Sequence, residues 1–158
     1  MALDSSKRSF DASASALAFP LGGIGTGNVS LGARGDLRDW ATFNKPAKGN
    51  LLPNTFFALY VKPEGEKAQT RVLEGPIAPP HTLSHGYHPI TTAGLPRLAN
   101  STFRGEYPFT NIHFEDASLP LEIELEAYTP LIPLNPEDSG IPCAIFTYTL
   151  HNTSSKPV

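Results

Sequence analysis

Paired carboxyl groups, clustered imidazoles and a glycine run are the parts of this chain whose spacing could carry chemistry. Glu122, Glu124 and Glu126 alternate through LEIELEAYT. Alternate residues of a strand share a face and lie roughly 7 Å apart, near the about 5 Å at which two carboxyl groups hydrolyse a glycoside with retention. One of the pair must stay protonated, which takes burial or a neighbouring charge. The flanking residues promise neither, so the three glutamates read as a solvated strand face. His81, His85 and His88 spell H-x3-H-x2-H in a proline-rich stretch. Zinc accepts such spacing, but the Glu of H-E-x-x-H and a helix to aim the set are missing. No metal and no cofactor is expected, and the imidazoles read as hydrogen-bonding groups of a loop.

The glycines of PLGGIGTGN fit neither phosphate loop. Asn28 stands where the third glycine of the dinucleotide fingerprint belongs, and Asn28-Val29 replaces the Lys-Ser/Thr of a P-loop. Asn28 to Gly32 then alternates like a strand, whereas both motifs need a helix. Just beyond, Asp36, Arg38, Asp39 and Trp40 concentrate charge around an indole. Such a group can hold a sugar, its ring against C–H groups and its charges on hydroxyls; equally it can be a charge-paired turn with Trp40 in the core. Arg104, Glu106 and Tyr107 offer a groove or an ordinary ion pair. Ser30 lacks the glycine two places earlier that a nucleophile elbow requires. Cys143, in an apolar run without a nearby cation, reads as an inert packed thiol.

Composition bounds the elements that must position these residues. Sixteen prolines and thirteen glycines in 158 residues exclude long helices. The net charge of -3, without any basic block, argues against nucleic acid as a partner. One cysteine cannot form an intrachain disulfide. With no signal-like start and no membrane-length apolar run, the expected compartment is the cytoplasm.

The chain divides into a loosely held lead-in over residues 1–18 and a β domain over 19–158. Residues 55–62 (TFFALYVK) predict a strand, with 69–73 as its hairpin return. Residues 75–104 predict a long irregular region. Residues 110–115 and 121–129 predict strands with one wet face. A proline-rich link, 130–142, leads to a last strand at 143–151. Its two faces are apolar or threonine, as in a sandwich-centre strand. The fold expected is all-β, an antiparallel β-sandwich. So few strands fall short of a closed sandwich, which suggests the N-terminal portion of a longer protein.

The segments PLGGIGTG, Arg34-Gly35-Asp36, Trp40 and Phe43-Asn44-Lys45-Pro46 together resemble the start of glycoside hydrolase family 116, the non-lysosomal glucosylceramidases and microbial β-glucosidases. Arg71-Val72-Leu73, Tyr107-Pro108, the Pro130–Pro142 segment and Asn152 follow in similar order. Leu37, in place of an aromatic, and Lys45, interrupting Asn-Pro, depart from the pattern and place the chain in a divergent branch. The resemblance implies the family's non-catalytic N-terminal β-sandwich domain. Its partner would be a C-terminal (α/α)6 barrel of the same polypeptide, carrying the Glu and Asp that cleave a β-glucoside or glucosylceramide-like substrate. Neither catalytic position exists in this sequence, so the parent would be the retaining hydrolase and this stretch alone inactive. Asp36, Arg38, Trp40, His85, Arg104 and Glu106 are the candidates for one rim of the sugar cleft. A stand-alone carbohydrate-binding module and a purely structural sandwich are the alternatives.

Overall fold

The computed structural model describes residues 8–43, 45–79 and 89–158. Its strands are β1 (Ser9–Asp11), β2 (Phe19–Leu21), β3 (Gly27–Leu31), β4 (Leu37–Thr42), β5 (Ala58–Val61) and β6 (Gln69–Val72), followed by β7 (Asn100–Glu106), β8 (Phe109–Glu115), β9 (Leu121–Tyr128) and β10 (Ile145–Asn152). Among the described residues only short helical turns interrupt them, a 3-10 turn at Pro89–Thr91 and α1 (Pro136–Ser139), in keeping with the proline and glycine content. All pairings between these strands are antiparallel, and one isolated parallel bridge joins Val72 to Arg97. The strands build a five-stranded sheet in the order β1-β7-β8-β9-β10, a three-stranded sheet β2-β3-β4 and the hairpin β5-β6.

Alternation in the sequence sets the layers. On β9, Ile123, Leu125 and Ala127 are buried while Glu122, Glu124 and Glu126 face out. β8 meets it in register, Ile112 opposite Leu125 and Phe114 opposite Ile123. Their inner face, with Phe103 of β7, packs on Leu21, Val29 and Leu31 of the three-stranded sheet and on Val61 of the hairpin. One continuous core therefore joins all three sheets, and the fold is all-β and sandwich-like. Phe103 and Phe114 are each fully enclosed, a burial that stabilises by about 1.5–3 kcal/mol per side chain.

Several details differ from the sequence reading. The hairpin strand begins at Ala58, not at residue 55. Asn54, at φ 59°, ends a turn, and Phe57 still accepts the Leu73 amide at 2.9 Å, so the chain is extended before its ladder begins. The region read as irregular through Arg104 already pairs from Asn100, in register with Glu115. Ser9–Asp11, within the lead-in, pairs with β7 opposite Thr102 to Arg104. The last strand is no central strand: β10 pairs with β9 and forms the sheet edge, and Leu150, on its inner face, is 45% exposed. Thr147 and Thr149 misled, because threonine suits a wet face as well as a dry one. No helix among the described residues is long and apolar enough to cross a membrane.

Candidate functional site

The glycine run docks on the proline-rich link that precedes β10. The Gly22 amide donates to Thr129 Oγ1 at 3.0 Å, across 107 residues, and the Ile24 amide to the Ser139 carbonyl at 2.9 Å. Gly23 leaves no room for a side chain, since a Cβ there would overlap the Ile141 carbonyl. Gly27 sits at φ 97° against the Ala41 carbonyl, where only glycine fits without strain. Gly22, Gly23 and Gly27 thus serve close backbone approach.

The link is itself tied down. Asn135 caps α1 by accepting the Asp138 amide at 3.1 Å. The buried Ser139 hydroxyl donates to the Ile132 carbonyl at 3.1 Å and accepts its amide at 2.9 Å. Between link, glycine run and β3-β4 lies a pocket of about 320 Å³, lined among others by Leu21, Thr26, Asn28, Trp40, Cys143 and Phe146. Trp40 packs against the core from its margin, and its buried Nε1 has no hydrogen-bond partner among the described residues. The pocket thus sets an indole beside a few small polar side chains. That combination suits a ligand with an apolar face and hydroxyl groups.

Asp36, 5% exposed, lines a different and smaller recess with Arg34, Leu51 and Glu74. Its Oδ2 accepts from Arg38 Nε at 2.8 Å and Nη2 at 2.5 Å, while Arg34 Nε stands 3.4 Å from Oδ1. Arg38 also donates to the Ser15 carbonyl at 2.6 Å, which holds the end of the lead-in. Asp39 has φ 52° and accepts the Gly49 amide at 2.6 Å. That hydrogen bond, helped by Lys48, Ser30 and Arg38 against the cost of burial, holds its carboxyl below the ordinary value. A second buried charge group joins it: Glu74 accepts from Arg34 and, at 3.1 Å, from Arg97 Nε. The Tyr148 hydroxyl lies buried without a partner among the described residues; burial, then the charge of Glu74, raises its pKa strongly.

Arg104 and Glu106 lie elsewhere, on the outer face of the five-stranded sheet. With Phe109 and Asn111 they line a recess of about 290 Å³, and Glu106 pairs with Arg8 at 2.6 Å. The structure therefore ion-pairs Asp36 with Arg38, sets Trp40 at a pocket that neither of them lines, and places Arg104 with Glu106 at a third recess. His85 falls outside the described residues, as do His81 and His88. The network of Arg34, Glu74 and Arg97 and the orphaned Tyr148 hydroxyl escaped sequence reasoning. Arg34 and Glu74 stand 40 residues apart, and no local spacing signals such a pair.

Stacked antiparallel sheets around one core, with recesses at the sheet margins, define an all-β sandwich-like domain. The family profile described as "beta-glucosidase 2, glycosyl-hydrolase family 116 N-term" matches residues 18–158. The chain belongs to that family, and two of the segments that carry the resemblance, PLGGIGTG and Pro130–Pro142, are in backbone contact in the fold. No curated protein matches the chain.

Proposed function

We propose that this chain is the non-catalytic N-terminal β-sandwich domain of a cytoplasmic β-glucosidase or glucosylceramidase-like hydrolase. In this reading it supports an (α/α)6 catalytic barrel of the same polypeptide and borders its sugar cleft. The family match over residues 18–158 carries the proposal. The carboxyl groups support it too. Asp36 and Glu74 are held by arginines, and Glu122, Glu124 and Glu126 stand on an open face, so none of these five offers a facing pair across an enclosed cleft. The rim would be formed by the Asp36–Trp40 segment and by the stretch containing His85, with Arg104 and Glu106 as further contacts. The test compares the full polypeptide with residues 1–158 alone on an aryl β-glucoside and on micellar glucosylceramide. Turnover by the full polypeptide and none by the fragment is expected; hydrolysis by the fragment would overturn the proposal.

A stand-alone carbohydrate-binding module is the second reading, favoured by the pocket that Trp40 lines. Calorimetric titration of the fragment with cello-oligosaccharides separates the two. Saturable binding that Trp40→Ala abolishes would favour the module.

A further inference from the structure

The outer face of the five-stranded sheet carries a constellation unrelated to the recesses above. His113 of β8 stands in register with Glu124 of β9, its Nδ1 3.6 Å from the Glu124 carboxylate. Glu122, two residues back on β9, projects from the same face. One ligand atom from each of His113, Glu122 and Glu124 falls within 4.8 Å of the others. On the far side of β9, His151 of β10 lies in register with Glu122. Directly opposed residues on an antiparallel pair hold their Cβ atoms about 4.5–5.5 Å apart. Three neighbouring strands thus bring two imidazoles and two carboxylates to one patch.

We infer that this patch is a divalent transition-metal site, with His113, Glu122 and Glu124 as ligands and His151 beside the remaining position. The donor set selects the ion. Imidazole together with carboxylate suits zinc, nickel or copper, whereas calcium and magnesium prefer oxygen ligands throughout. Three protein ligands are also the number that leaves zinc an open position for water or a further ligand. The strands supply the rigidity. β9 is paired on both sides, by β8 and by β10, and Ile123 and Leu125, the inward neighbours of the two glutamates, are 1% exposed. The backbone beneath the ligands is therefore held by the core, and the side chains need only choose rotamers. Two carboxylates on one face repel each other, and a cation between them relieves that repulsion.

Zinc chloride titrated calorimetrically into the chelator-treated full polypeptide tests the site. His113→Asn and the double variant Glu122→Gln/Glu124→Gln should each weaken the zinc isotherm about tenfold or more, with unchanged melting of the metal-free protein. The triple variant His81→Asn/His85→Asn/His88→Asn should keep the high-affinity event, which separates this patch from the loop histidines. The inference is overturned if zinc gives no saturable event. It also fails if both patch variants bind zinc as the parent does, or if only the loop variant loses it.

Discussion

Gly23 lies flat against Ile141: a Cβ at residue 23 would stand 2.8 Å from the Ile141 carbonyl carbon and closer still to its oxygen. The obstacle is backbone, which cannot swing aside as a side-chain end can. Gly23→Ala should therefore push the glycine run off the link and cost about 2–3 kcal/mol. Gly94→Ala meets nothing within 4 Å and should change stability by no more than about 0.5 kcal/mol. Denaturant melts of the two variants beside the parent check the contrast; equal losses would mean the contact is unimportant.

Glu74 is the shared anion of Arg34 and Arg97, 5% exposed itself. Removing one partner of a buried pair leaves an uncompensated charge and costs about 3–5 kcal/mol. Glu74→Ala should lose about that much, measured by chemical denaturation. Glu106→Ala removes only the exposed pair with Arg8 and should lose about 1 kcal/mol or less.

Asp39 and Asp116 both have carboxyl groups held below their ordinary values. At Asp39 the main cause is the Gly49 amide. At Asp116 burial pushes upward and is outweighed by hydrogen bonds from Ser118 and Arg71. A carboxyl with a lowered folded pKa stabilises the fold above its unfolded value of about 3.9, and that contribution is lost as pH falls through the folded value. Melting temperature should hold from neutral pH down to about pH 5 and then fall. Asp39→Asn tolerates the left-handed backbone and should flatten part of the acid slope. An unchanged slope in this variant would show that Asp39 contributes nothing to it.

β10 is an edge strand whose inner-face Leu150 is 45% exposed. Uncovered edges and apolar side chains invite pairing with other chains. Residues 1–158 expressed alone should self-associate, and Leu150→Lys should shift light scattering toward monomer. A sharply melting monomer at high concentration would contradict this.

Period-two alternation and proline spacing were enough to determine an all-β chain, the inward row Ile123, Leu125 and Ala127, and the hairpin from β5 to β6. These follow from geometry that each strand carries alone, since successive side chains point to opposite faces. The resemblance to family 116 was legible too, because its motifs are contiguous. Tertiary structure alone decided the rest. β7 starts at Asn100 because Glu115 pairs with it, and β10 lies at an edge because no other described strand reaches it. Glu74 is buried because Arg34, 40 residues earlier, and Arg97, 23 residues later, both meet it there. His113 met Glu124 only once the β8–β9 register was set. Pairing partners and charge partners are chosen across dozens of residues, and a local pattern holds no record of the neighbour that folding will bring.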